Sequence, residues 1–417
     1  MASSHGRLRR VARWALLGAG ALLLIVVAAV GVACLVYPPT YLARMVLWGG
    51  SNVGDIYRFP SRPLPASPAP YRFREVADMA PARGILQSTS QVPDFEHMLE
   101  DTGTEAFLVV RNDTLIYEAY FNGSRRDSLN TSFSVAKSVT SALVGIALAE
   151  GKIHSLDDPI TRYLPELAAR DPRFSLITLR HLVTMASGIR FVTTPFPNSD
   201  AALHYYYPDL RALLLKRIQI ARPPGVRWLY TDYNPQLMGM ILERTTGMTV
   251  TAYLEQKLWL PLGTEYPASW SVDHDPGGFE KMDTGVNART IDFAKFGKLY
   301  LDGGRWNDRQ VVPAAWVIES TTADPGRGRS DYYSEKPGSR PMAMGETGYY
   351  AYWWWGWNEP DGARTFAAIG DHGQYLFVSP SDHIVIVRNG KSYGRPTPEW
   401  MAWFKRAAHA FGAQARQ

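Results

Sequence analysis

The sequence predicts an α+β fold: one antiparallel sheet formed by both ends of the chain and flanked by helices, with a mostly helical insertion between them. Two observations predict it. Strand-like runs occur early, at Ala106–Val110 and Leu115–Phe121 around an Asn112-Asp113 turn, and return late, at Tyr349–Trp357, Thr365–Ile369, Tyr375–Val378 and Ile384–Val387. Between about Ser132 and Val250 the apolar spacing is helical instead. No internal repeat interrupts this plan.

The chain has 417 residues, 46% apolar and 20% charged, which is the composition of an ordinary globular protein with ample material for a core. A single cysteine, Cys34, excludes a disulfide scaffold and any Cys-based zinc site. The formal charge of +5 comes largely from Arg7, Arg9, Arg10 and Arg13 in an acid-free segment 1–40. The remainder is nearly neutral and holds no basic stripe for nucleic acid.

From Trp14 to Tyr37 no residue is charged. At about 1.5 Å per residue that run gives roughly 36 Å of helix, enough to cross a bilayer core. The arginines before it predict a cytoplasmic N-terminus and an exported body, periplasmic or extracellular. A cleavable signal, or lipidation at Cys34 after Gly31-Val32-Ala33, is the rival reading. Segment 1–40 is therefore expected to be a basic tip and transmembrane anchor. Segment 41–93 is expected to be a membrane-proximal piece (Tyr41–Trp48) followed by an extended spacer carrying Pro60, Pro63, Pro65, Pro68 and Pro70. Regular structure is expected from Asp94, with residues 94–417 as the body and a helical insertion at about 155–290. Thr397-Pro398-Glu399 opens a last helix to about Phe411.

The chemistry centres on Ser134-Val135-Ala136-Lys137, an S-x-x-K at the start of a helical stretch that ends at Gly151. A spacing of three puts the hydroxyl and the amine on one face. Serine needs an adjacent base, and lysine serves only when desolvation or positive neighbours bring its pKa toward neutrality. The free N–H groups of a helix start supply such charge and an oxyanion donor. Taken alone, an S-x-x-K is more often a solvated helix face.

Its context is more specific. Thr131–Lys137 (TSFSVAK) is followed by Leu156-Asp157-Asp158-Pro159-Ile160, Tyr163–Leu167, Ile177–Gly188 (ITLRHLVTMASG), Pro224–Tyr230, Gly239–Gly247, Ala294–Tyr300 and Gly303–Trp306. In that order these stretches resemble the serine β-lactamase-like family: class C β-lactamases, D-alanyl-D-alanine carboxypeptidases, family-VIII esterases and 6-aminohexanoate-dimer (nylon-oligomer) hydrolases. The resemblance covers about residues 95–410 and implies the β-lactamase/transpeptidase fold. It also implies Ser134 as the acylated nucleophile and Lys137 as its base. The family's Y-x-N matches Tyr230-Thr231-Asp232, so Tyr230 corresponds to the tyrosine that relays a proton, a role for which a nearby cation must lower its pKa. Tyr233 fits the spacing less well. The K-T-G element is replaced by Asp371-His372-Gly373 before Gln374. By resemblance, the N–H groups of Ser134 and Gln374 form the oxyanion hole, while Gly373 and His372 face the substrate, although a strand histidine is as readily structural.

Two departures matter. Asp232 replaces the amide donor with an acceptor, which can take a substrate ammonium or N–H, or hold Lys137 charged. The lysine that pairs with carboxylates of β-lactams and peptidoglycan stems is missing. Both changes favour an amidase or esterase, in a pattern most like the nylon-oligomer hydrolases, acting on a small amide or ester. A β-lactamase or carboxypeptidase working on cell-wall material is the enzymatic rival, and an inactive peptidoglycan-binding scaffold is the rival from another class. The aromatic run Tyr349–Trp357 reads first as a core strand and second as the lining of an apolar pocket. Asp157-Asp158 reads as a cap, and His204–Tyr207 as a loop. No G-x-S-x-G, H-E-x-x-H or phosphate-binding loop occurs, and no cofactor or metal is implied. The sequence does not fix the oligomeric state.

Overall fold

The computed structural model describes residues 2–193, 199–324, 347–360 and 362–415. It divides into two compact units, residues 1–51 with 193–208, and residues 52–192 with 209–417.

In the first unit a helix runs from Ala2 to Val36. Its part Ala12–Val36 is 25 residues long, apolar and wholly unburied, long enough to cross a membrane. After Pro38 the helix Pro39–Trp48 turns Tyr41 and Met45, one turn apart, inward. Tyr41 meets Tyr207 at 5.9 Å and Trp48 meets Tyr206 at 6.1 Å between ring centroids. The Arg44 guanidinium donates to the Tyr206 carbonyl. Of the residues read as a loop, His204–Tyr207, the first three belong to the helix Asp200–Tyr206, which Tyr207 caps.

The second unit carries fourteen short and long strands among its described residues: β1 (Ser61–Leu64), β2 (Arg74–Glu75), β3 (Thr104–Arg111), β4 (Thr114–Tyr120), β5 (Asn130–Thr131), β6 (Ala268–Ser271), β7 (Val286–Ala288), β8 (Arg305–Trp306), β9 (Arg309–Gln310), β10 (Gly348–Ala351), β11 (Trp354–Asn358), β12 (Arg364–Gly370), β13 (Gln374–Ser379) and β14 (Ile384–Gly390). Eight of them form one sheet in the order β10-β11-β12-β13-β14-β3-β4-β2. The expected closure by both chain ends is the antiparallel pairing of β14 with β3, in which Val387 faces Leu108 and Arg388 faces Phe107.

Both faces of this sheet are covered, which is why β13 and β14 are buried along their whole length rather than alternating. Side chains two apart share a face. On one face Phe107 stacks on Trp403 (5.3 Å) and Phe377 meets Phe404 (6.0 Å), both from the C-terminal helix Thr397–Ala415. On the other, the helix Thr290–Leu301 comes so close that a methyl at Gly297 would lie 2.6 Å from Leu376 and Val385. The helix Val135–Ala149, apolar on almost every side, is buried nearly throughout, as expected for a helix at the centre of a domain.

Two expectations are corrected. The proline-rich stretch is not an extended spacer, because β1 pairs with β6 and the helix Ala80–Ser90 precedes Asp94. Pro63 is tolerated because β1 is an edge strand of the four-stranded sheet β1-β6-β7-β5 and lacks a second partner. The aromatic run 349–357 is not one strand but two, β10 and β11, which fold back at Tyr352-Trp353, where both residues have positive φ. The insertion is helical for the most part, yet it contributes β6 and β7.

Candidate active site

Ser134 stands at the head of the helix Val135–Ala149, with φ −65° and ψ −4°. Phe133 before it has φ 40°, an unfavourable conformation for a bulky residue. Short turns fix this entry: the N–H groups of Val135, Ala136 and Lys137 donate to the carbonyls of Ser132, Phe133 and Ser134. Ser132 is tied in turn to the Val286 carbonyl at the end of the second sheet (2.7 Å).

Lys137 lies one turn further on and is 1% exposed. Its Nζ donates to Ser134 Oγ (2.8 Å) and to the Asp283 backbone carbonyl (3.1 Å), and it pairs with Asp232 Oδ1 at 2.7 Å. Those three acceptors account for the three donors of an ammonium. Burial alone would push the lysine pKa down. The nearby Asp232 carboxylate, the Tyr230 phenol and the Asp283 carboxylate push it up by more, so it is raised overall. The expected neutral amine is therefore replaced by a charged one at rest, and the physical reason is the acid that stands where the family motif has Asn.

Asp232 starts the helix Tyr233–Thr246, and Tyr230 precedes it by two residues. The Tyr230 ring lies beneath the Lys137 ammonium, 4.9 Å from Nζ to the centroid. Burial raises its pKa. Lys137 charge and the hydrogen-bonding reach of Ser134 and Lys137 oppose the rise, Asp232 adds to it, and the net direction is upward. A lowered phenol was expected, and it is not what burial produces here.

An aromatic wall adjoins Tyr230, built from the run that the sequence offered second as the lining of an apolar pocket, together with Trp228. Tyr350 of β10 and Trp355 of β11 face each other across the ladder, 4.6 Å between ring centroids. Each approaches Tyr230 at 6.0 Å, and Trp228 packs against both. Burial, with Tyr230 and Asp232 nearby, holds the Tyr350 phenol neutral well above its ordinary range. Tyr350 also lines a cavity of about 520 Å³ bounded by Arg180, Thr184, Ile318 and Tyr352. The density of aromatics in 349–357 was the signal for this wall. The contribution of Asp283 had none, being an isolated acid 146 residues from Lys137 in the chain.

The turn Asp371–Gly373 joins β12 to β13. Gly370 abuts the segment before Ser134 directly: a methyl there would overlap the Ser132 carbonyl oxygen and lie 3.1 Å from Phe133 Cβ. His372, itself at φ 58°, stacks on Phe133 (5.0 Å, 16° between planes) and more loosely on Tyr393 (6.4 Å). Its backbone N–H donates to Asp371 Oδ1 (2.8 Å). The hydrogen bond with Asp371 raises the His372 pKa, opposed by partial burial. Gln374 pairs with Gly370 in the ladder, and its side chain turns into the sheet, donating to the Gly390 carbonyl (2.6 Å) and accepting from Asn389 (2.8 Å). The carbonyl of Gly373 accepts from Arg388 (2.8 Å), a fully buried guanidinium whose pKa burial lowers to about 10. Gly373, at φ 79°, has no room for a side chain beside it.

Residues 95–404 match the family model described as Beta-lactamase. The chain is 30% identical over 369 residues to a 6-aminohexanoate-dimer hydrolase of Paenarthrobacter ureafaciens, covering 85% of this chain and 87% of that one. It is 30% identical over 150 residues to Esterase EstB of Burkholderia gladioli, across 33% of this chain and 38% of the esterase. In fold it is similar to the octameric penicillin-binding protein homologue from Pyrococcus abyssi, with a TM-score of 0.58 at 18% identity over 78% of this chain and 77% of the other.

Proposed function

The chain belongs to the beta-lactamase family and is a serine hydrolase of that family, and from this premise we propose that it cleaves a small amide or ester through an acyl-enzyme on Ser134. The observation that carries this reading is the contact of Ser134 Oγ with Lys137 Nζ at 2.8 Å, beside Tyr230. The substrate class is a neutral or cationic one of the 6-aminohexanoate-dimer kind. With Asp232 in the site and no K-T-G lysine, little charge-assisted binding is available to a substrate carboxylate.

The chemistry runs through a proton relay. Ser134 Oγ attacks the substrate carbonyl carbon while its proton passes to Lys137 Nζ, and Lys137 passes one of its own to Asp232. The resting ammonium thus becomes a competent base only as Asp232 accepts. N–H groups of Ser134 and of the β12–β13 turn at Gln374 receive the oxyanion. The C–N or C–O bond then breaks, and the leaving group takes its proton from the Tyr230 hydroxyl, which Lys137 restores while Asp232 hands its proton back to Lys137. Water adds to the acyl carbon by the reverse path, releasing the acid and regenerating Ser134. The aromatic wall of Trp228, Tyr350 and Trp355 offers an apolar surface for a methylene chain. The helix Ala12–Val36 anchors the protein in a membrane, with the hydrolase outside the cytoplasm.

The test is labelling with a fluorophosphonate, followed by turnover of a panel of short-chain p-nitrophenyl esters, aminohexanoate dimer and nitrocefin. Wild type should label and Ser134→Ala should not, with turnover on the dimer or the esters. Equal labelling of both proteins would refute the mechanism, and preference for nitrocefin would move the substrate to the β-lactams.

A further inference from the structure

The residue before the nucleophile is held in a conformation that its side chain disfavours. Phe133 sits at φ 40° and is 3% exposed. Such a conformation persists only where its surroundings over-determine it. Three contacts do so. The Phe133 carbonyl accepts from the Ser132 hydroxyl (3.0 Å) and from the Ala136 N–H (3.0 Å). Gly370 leaves just enough space beside Phe133 Cβ. The third is the imidazole of His372, laid almost flat on the phenyl ring.

His372 is in turn held by its backbone. Its own positive φ follows from the tight turn, whose next carbonyl, that of Gly373, is gripped by Arg388. The guanidinium is fixed by Thr104 Oγ1 (2.9 Å) and the Thr102 carbonyl (3.0 Å) and lies over Trp400 at 4.3 Å. A rigid chain of contacts therefore leads from β14 through the turn to the ring of Phe133, and Ser134 is the next residue.

We propose that His372 is a positioning residue: by stacking on Phe133 it clamps the strained entry to the helix and sets the aim of Ser134 Oγ. Its part is played by a flat ring, not by its proton or charge. This inference rests on Ser134 being the nucleophile, and it assigns His372 a role other than substrate contact. A flat hydrocarbon ring should then replace it.

The experiment compares His372→Ala and His372→Phe in the full-length protein. In His372→Ala, fluorophosphonate acylation of Ser134 and kcat on a p-nitrophenyl ester should both fall about 10-fold or more, with KM within about 2-fold, because misaim costs rate rather than binding. In His372→Phe most of the lost rate should return. Amide hydrogen exchange at Phe133–Ala136 supplies a readout that needs no turnover: faster in the alanine variant, restored in the phenylalanine variant. If the phenylalanine variant is as slow as the alanine variant, the imidazole acts chemically and the proposal falls. It falls equally if His372→Ala labels and exchanges like wild type. Failure of the wild type itself to label above Ser134→Ala would count against the proposed hydrolase mechanism, while the exchange measurement would still decide the clamp.

Discussion

Asp232 and Lys137 meet at the centre of the candidate site, and their pairing is expected to set its pH behaviour. Lys137 stays charged because Asp232 lies 2.7 Å away. In Asp232→Asn that support is gone, burial weighs more heavily, and the lysine pKa falls. In wild type, activity rests on the Lys137–Asp232 pair, 2.7 Å apart, through which the proton passes. In the variant it should be lost when the amine becomes protonated. The acid limb of kcat/KM should therefore move to higher pH, with a loss at pH 6 about 10-fold greater than at pH 9. An acid limb that stays in place would remove Asp232 from the relay. A second titration concerns stability. His372 has its pKa raised above 6.5 by Asp371, so its contribution is complete below that value and fades as pH rises through the raised one. Thermal melts of His372→Ala and wild type should thus differ more at pH 5.5 than at pH 8.5. Ser134 and Lys137 could be singled out in the sequence because their spacing of three is local, and Tyr230 because Tyr230-Thr231-Asp232 stands just before a helical stretch. The charge state of Lys137 was not legible, because it depends on an acid 95 positions away being folded against it.

Two glycines show how elements set the site. Gly370→Ala adds a methyl that overlaps the Ser132 carbonyl oxygen, and neither strand β12 nor the nucleophile segment can yield freely. Acylation should drop by about 10²-fold, read by fluorophosphonate labelling, with far-UV circular dichroism unchanged. Gly145→Ala instead drives a methyl into the Trp316 indole on the other side of the helix Val135–Ala149. That change should cost about 1–3 kcal/mol in urea unfolding, with little change in labelling rate among folded molecules. The strands β3, β4, β12, β13 and β14 were readable from their β-branched and aromatic runs. The hairpin of β10 and β11 was hidden, since its turn residues, Tyr352 and Trp353, take positive φ without the glycine or asparagine that usually announces it. Its support is tertiary: Ser138 of the helix Val135–Ala149 donates to the Trp353 carbonyl (2.8 Å), and Arg180 donates to the Tyr352 hydroxyl (2.7 Å). Strand β1 was hidden for the opposite reason, because prolines masked a strand that needs partners on only one side.

At the scale of the whole molecule, the N-terminal helix predicts a fractionation result. Full-length protein should sediment with membranes and resist carbonate extraction, whereas a chain begun after Tyr37 should be released to the soluble fraction; retention of the shortened chain would count against the anchor. The composition of that helix was legible from the first residues. The sheet was legible only as a plan, because its two central partners come from distant parts of the chain. That separation has a further consequence. Strand β3 must wait for β14, about 270 residues later, which at 5–20 residues per second of synthesis is roughly 15–55 s on the ribosome. Throughout that interval the nascent polypeptide has no finished sheet to fall into.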